Sequence, residues 1–227
     1  MFEAAAAPRC ELHDLGRMGY AAAFDLQRAL VERRKRGEIP DRLLIVEHPP
    51  VVTMGRNGNA EHLLASPELL SRAGIEFHHS DRGGDVTFHG PGQIVGYPIF
   101  DLREWKRDVV AYVRALEEVL IATLSEFGIR ADRLAGATGV WVSARGGVAK
   151  IAAIGVHVSR WVASHGFALN VDADLSYFRY IVPCGLTKPV TSMREAGSSA
   201  RREAVIDAVS RSFGRVFERE IVENRNI

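Results

Sequence analysis

Residues 138–171 read TGVWVSARGGVAKIAAIGVHVSRWVASHGFALNV, and they decide the fold. Three apolar runs stand out: TGVWVS from 138, KIAAIGVHVS from 150 and WVASHGFALNV from 161. Short runs rich in Val, Ile and aromatic residues, bounded by Gly and polar residues, are strands. Gly146-Gly147 predict a hairpin turn ahead of the second run, so these strands pair antiparallel.

Working outward, LLIVEH (43–48) is a short apolar strand broken by Pro49-Pro50, and IEFHH (75–79) and QIVGYPIF (93–100) add further strand pieces. Helical spacing marks 19–36, where Ala22, Leu26, Ala29 and Leu30 recur before Gly37. It marks 108–127 more clearly, with Val109, Val113, Leu116, Leu120, Leu124 and Phe127 on one face and Gly128 as the stop. EHLLASPELLSRAG suggests two short helical turns, and REAVIDAVSRSFGRVFER returns to helix with Val205, Val209, Phe213 and Val216 on one side. No linker-like tract or internal repeat interrupts the chain. The expected fold is a single α+β (α/β) domain over residues 1–227: one mostly antiparallel sheet with flanking helices.

The totals exclude several classes. Lys and Arg number 29 against 28 Asp and Glu, so the concentrated basic excess of a nucleic-acid binder is missing. No apolar run is long enough to span a bilayer. MFEAAAAPRCELHD has neither a basic start nor a long apolar core, and is not expected to be a secretory signal. With only Cys10 and Cys184, and Cys10 expected near a loose terminus, a structural disulfide is not expected and a reducing cytoplasm fits.

Arg82 to Gln93, RGGDVTFHGPGQ, packs four glycines around a short apolar core. Such a stretch is either a set of tight turns or a place where backbone approaches a ligand closely. Phosphate loops of the G-x-x-x-x-G-K-[ST] type, dinucleotide G-x-G-x-x-G and the G-x-S-x-G elbow are all absent. His78, His79, Asp81 and His89 match no standard ligand spacing, so no metal is expected. Cys184, in IVPCGL, sits between a proline and a glycine, which suits a fixed turn rather than a strand interior. A lone cysteine is more often an inert small hydrophobe, and only its surroundings confer thiolate character. Lys150 opens an otherwise apolar strand; it is either a solvated edge residue or a partly buried partner for a thiol.

Three blocks taken together, SDRGGDVTFHGPGQIVGYP, KIAAIGVHVSRWVASHGFALNV preceded by GVWV, and IVPCGL, closely resemble the lipoyl(octanoyl) transferases of bacterial lipoate biosynthesis. The likeness runs in order from about residue 40 to residue 193. It implies a fold shared with biotin and lipoate protein ligases. It also implies an acyl transfer that needs no cofactor, from octanoyl-acyl carrier protein to the lysine of a lipoyl domain. The acceptors it implies are the lipoyl domains of 2-oxoacid dehydrogenase complexes and the glycine cleavage H protein, with no nucleic acid or membrane as partner. By position, Cys184 resembles the family's acyl-thioester nucleophile and Lys150 its partner. Arg82, Gly83, Gly84, Asp85, Val86, Thr87, Phe88 and His89 resemble its substrate-binding loop. Ala153-Ile154-Gly155 and Gly166-Phe167-Ala168 resemble the other segments lining the acyl tunnel. His157 stands where the family often carries arginine.

On this resemblance, Gly83, Gly84, Gly90 and Gly92 make room for a thioester and its chain, and amides there are placed to donate to charge on the carbonyl oxygen. Arg82 and His89 either hold the loop or touch the substrate. An ordinary thiol, pKa about 8.5, is only slightly ionised at neutral pH, so a Lys150 ammonium beside it would favour the thiolate. Two readings compete: an ATP-dependent lipoate or biotin ligase on the same fold, and a non-catalytic module that binds lipoyl domains or carrier protein. The cysteine block argues against the first. The presence of both Cys184 and Lys150 argues against the second. Arg33-Arg34-Lys35-Arg36 could meet an acidic carrier, although a charge run ending a helix is usually a solvated face.

Overall fold

In the strand Asp41–Glu47 (β2), Leu43 and Ile45 face one hydrophobic core while Leu44 and Val46 face another. This alternation, with both faces buried, marks a central strand between two layers. The structure, a computed structural model, describes residues 7–144, 147–182 and 188–224.

The other strands are Arg9–Arg17 (β1), Val51–Met54 (β3), Glu76–His79 (β4), Val86–His89 (β5), Gln93–Asp101 (β6), Ala131–Leu134 (β7), Ala137–Ala144 (β8), Gly147–Ser159 (β9), Val162–Asn170 (β10) and Glu220–Glu223 (β11). The helices are Tyr20–Lys35 (α1), Pro67–Arg72 (α2), Val109–Glu126 (α3) and Arg202–Phe217 (α4). Two sheets form rather than the one expected. An eight-stranded sheet runs β11-β1-β2-β6-β10-β9-β8-β7, and a small one runs β4-β3-β5. The large sheet is antiparallel from β2 to β7, and β1 pairs parallel with both β2 and β11. The expected turn at Gly146-Gly147 falls partly outside the described residues, since Gly146 is not among them.

Helices α3 and α4 cover one face of the large sheet, and α1 covers the other through Ala23, Leu30 and Val31. Asp108 caps α3 by accepting from the Ala111 amide. Gly128 ends it in a Schellman motif, with φ +73°, its amide on Ser125 O and the Ile129 amide on Leu124 O. The apolar faces differ in detail from the expected ones. On α1 the buried face is Tyr20, Ala23, Gln27, Leu30, Val31 and Arg34, one residue on from Ala22 and Ala29, which are exposed. On α3, Val109 lies in the exposed first turn, and Tyr112 and Val119 take core positions. Among the described residues no helix is long and apolar enough to cross a membrane.

The chain around Cys10 is held in a strand rather than loose. Cys10 is fully buried in β1, opposite Ile221 on one side and Asp41 on the other. Burial, helped by the Asp41 carboxylate, pushes its thiol far above the ordinary range, so Cys10 stays protonated.

Candidate active site

Strands β9 and β10 place small residues opposite one another. Ala153 pairs with Ala168, and Gly155 with Gly166. These two rungs, separated by the Ile154–Phe167 pair, leave a trough on the α1 side of the sheet, and a cavity lies over it. Val95, Tyr97, Ala153, Ile154, Gly155, Gly166, Phe167 and Ala168 line its floor; Arg82, Gly84, Asp85, Thr87 and His89 line its roof. Its empty volume, including the part open to solvent, is about 470 Å³. Walls this apolar, with a few polar groups, suit a hydrocarbon chain carrying one reactive end.

Lys150 stands at one end. A bulge sets Val140 opposite Ala152 and Trp141 opposite Lys150, which leaves Ile151 unpaired. Ile151 and Ala152 consequently both enter the helix-side core, while Lys150 and Ala153 line a second cavity of about 320 Å³. The two cavities share Thr87, Ala153 and Ala168. Lys150 is 6% exposed, and its Nζ lies 4.8 Å from the centre of the Trp141 ring. Its stem passes over Gly139, where an added Cβ would lie 3.3 Å from Cε and 2.7 Å from Ala152 O. Gly139 has φ +120° and donates its amide to the buried Glu117 carboxylate. The solvated edge lysine is therefore excluded: this lysine is buried against an indole face.

Arg82 holds the roof. Its guanidinium donates to Thr53 Oγ1 and Thr53 O from β3 and to Gly83 O. The loop-holding role thus has direct support, although Arg82 also lines the cavity. Asp85 accepts from the Asn59 amide and pairs with His62. Thr87 and His89 of β5 face the cavity over the trough, while Val86 and Phe88 join the core of the small sheet. Phe88 also borders the cavity at Lys150.

The glycines of the stretch have specific places in the backbone packing. Of the four, only Gly84 lines the cavity. The Gly83 amide donates to Val156 O, and a Cβ on Gly155 would lie 2.8 Å from Gly83 O. A Cβ on Gly92 would strike Asp172 O at 2.5 Å, and one on Gly90 would strike the Phe88 ring. The amides of Gly83 and Gly92 are already committed, to Val156 O and to Glu47 Oε2.

Hydrogen bonding fixes the state of the buried histidines. His48 Nδ1 donates to Met18 O, so its Nε2 accepts from the Tyr97 hydroxyl. Gln93 Nε2 donates to Phe88 O and Asn170 Oδ1, leaving Oε1 to accept from His89 Nδ1. Asn170 then donates to Thr191 O, and the Thr191 amide to Lys150 O. This chain ties the roof at His89 to the backbone of Lys150. Burial lowers the pKa of His48 and, much further, of His89, where His48 and Arg82 add to the effect. His89 is neutral at pH 7.

His165 lies at the end away from Lys150. It has φ +53° inside β10, a conformation costly for a non-glycine residue. Its amide leaves the ladder to reach Gln27 Oε1 at 2.8 Å, and its Nε2 donates to Asp81 Oδ1 at 2.6 Å. That bond clasps the roof loop to the floor. His157, also facing Asp81 at 3.8 Å, is half-buried outside the cavity.

Cys184 lies outside the described residues. The flanking chain is described on both sides. Val182 donates its amide to His62 O. After the gap, the Lys150 amide donates to Pro189 O, and Val190 bridges Lys150 in parallel. The residues weighed as metal ligands take separate partners: His78 meets Glu76, Asp81 meets His165, and His89 meets Gln93. Among the described residues no three His, Cys, Asp or Glu side chains are grouped to hold a metal ion.

Comparison with known proteins then decides the family. The model of the lipoyl protein ligase A/B catalytic domain matches residues 19–214. The chain belongs to that family. It is 58% identical to an octanoyltransferase of Solibacter usitatus, over 96% of this chain and 97% of that one. It is 54% identical to an octanoyltransferase of Koribacter versatilis, over 92% and 84%. The structure of a bi-partite lipoate protein ligase and its E2 lipoyl domain from Thermoplasma acidophilum shares the fold. Its TM-score is 0.73 at 17% identity, over 98% of this chain and 88% of that one.

Several cavity residues were not among the sequence candidates. Tyr20, Tyr97 and His165 line the cavity, while Gln93 and Asn170 border the end at Lys150. Gln93 and Asn170 sit in the quoted GPGQ and ALN blocks, where a buried amide amid apolar residues is itself a signal of a required hydrogen bond. Tyr20 carries no such signal.

Proposed function

We propose that this octanoyltransferase draws its acyl group from a carrier-protein thioester and delivers it to the lysine amine of a lipoyl domain, through a thioester on Cys184 assisted by Lys150. The observation that carries this reading is the trough of paired small residues running away from a buried lysine. Residues 1–227 act as one catalytic domain, and the reaction is placed in the cytoplasm.

The trough takes the acyl chain, with the thioester carbonyl at the Lys150 end. The Cys184 thiolate attacks the carbonyl carbon, and the carrier thiol leaves with a proton from the Lys150 ammonium. Thioester exchanges for thioester, so no nucleotide is consumed. The acceptor amine then attacks the acyl-cysteine carbonyl and passes its proton to the now neutral Lys150, and the Cys184 thiolate departs. One lysine thereby serves as acid in the first half and base in the second. Burial in an apolar site strengthens the action of that charge on the reacting groups. The Arg82 and His89 networks keep the roof fixed over the chain.

The test is transfer from octanoyl carrier protein to a lipoyl domain without ATP and with a strong chelator present. Lipoyl-domain octanoylation under these conditions is expected, with ping-pong kinetics. Octanoylation only from free octanoate plus ATP would instead identify a ligase, and none from either donor a binding module.

A further inference from the structure

We infer that Tyr20 is the stop that sets acyl-chain length, closing the far end of the trough. This rests on the acyl-transfer reading above. The chain would run from the cavity at Lys150, past Thr87, Ala153 and Ala168, into the cavity that Tyr20 helps to close. Tyr20 is the first residue of α1 and comes from a different layer than the strands it meets. It is 3% exposed, and its hydroxyl donates to Ser80 Oγ at 2.8 Å. Ser80 Oγ also accepts from the Arg82 amide, so the ring is pinned to the same loop that roofs the trough. Three rings pack against it: the fully buried His48, with ring centres 5.6 Å apart, and, toward the surface, the half-buried Phe24 at 6.1 Å and His78 at 5.4 Å. Removing the ring would join the trough to the surface beside α1. Trimming other floor residues would not, because Val95 and Ala168 belong to the closed core under α1.

A hydrophobic slot discriminates chain length by about 10-fold or more per misplaced methylene, so a stop of this kind has a measurable signature. The experiment measures kcat/KM for octanoyl, decanoyl and dodecanoyl carrier protein with the full chain. In Tyr20→Ala, the dodecanoyl-to-octanoyl ratio should rise by about 10-fold or more over wild type. Tyr20→Leu makes the same test with an apolar side chain, should the alanine variant not fold. Tyr20→Phe keeps the ring and loses only the bond to Ser80; it should hold the wild-type ratio whatever its absolute rate. Wild-type chain-length ratios in both Tyr20→Ala and Tyr20→Leu would overturn the inference, as would an equal shift in Tyr20→Phe. A wild-type protein that transfers no octanoyl group would fail differently, by removing the acyl-transfer reading itself.

Discussion

The Lys150 ammonium stands over the Trp141 ring, 4.8 Å from its centre, although the two residues face each other across neighbouring strands where both side chains would ordinarily alternate with apolar ones. The bulge at Ile151 creates that placement, and Gly139 leaves the space the lysine stem occupies. A lysine side chain is thus buried at the end of an apolar trough.

Lys150→Arg separates these two uses. Arginine keeps the charge and is not deprotonated in proteins. Single-turnover measurements should show octanoylation of the enzyme surviving in part. Transfer to the lipoyl domain should collapse by about 10²–10⁴-fold, the usual worth of a general base. Equal, modest slowing of both steps would reduce Lys150 to a charge partner.

Filling the trough should cost binding rather than folding. Ala153→Leu places a larger apolar side chain where Ala153 faces Ala168, at the junction of the two cavities. We expect kcat/KM for octanoyl carrier protein to fall about 10-fold or more, with a thermal midpoint within a few degrees of wild type. An unchanged kcat/KM would place the acyl chain elsewhere.

Stability should fall in mild acid. Burial lowers the folded-state pKa of His48, His89 and His165 below the ordinary 6.5. Between those lowered values and about 6.5 the unfolded chain binds protons that the folded chain refuses, so stability rises with pH across that window. It levels off above about 6.5, where both states are neutral. Each histidine contributes up to about 1.4 kcal/mol per pH unit inside its window. Urea unfolding should give a lower midpoint at pH 5.5 than at pH 7.5, and a flat profile would contradict the buried neutral assignment.

Much of the fold is readable from the central strands, because KIAAIGVHVS and WVASHGFALNV are long, apolar and adjacent in sequence. The edge β11-β1 is not. RCELHDLGR mixes charge with apolar residues, and its parallel partner is at the other end of the chain. The buried face of α1 is offset from the expected one because Ala21-Ala22-Ala23 offers no contrast between faces. In the site, Lys150 and the 82–89 loop stand out by unusual composition and by resemblance. The Asp81–His165 clasp and the Tyr20–Ser80 bond join residues distant in sequence, and only folding brings them together.

Intact mass tests directly whether Cys184 carries the acyl group. After incubation with octanoyl carrier protein and no acceptor, wild-type protein and Cys10→Ala should each gain one octanoyl increment, and Cys184→Ala none. Cys10 is sealed in the sheet with its thiol held protonated, so it should take no part. An increment that persists on Cys184→Ala, and disappears only when Cys10 is also replaced, would contradict the account.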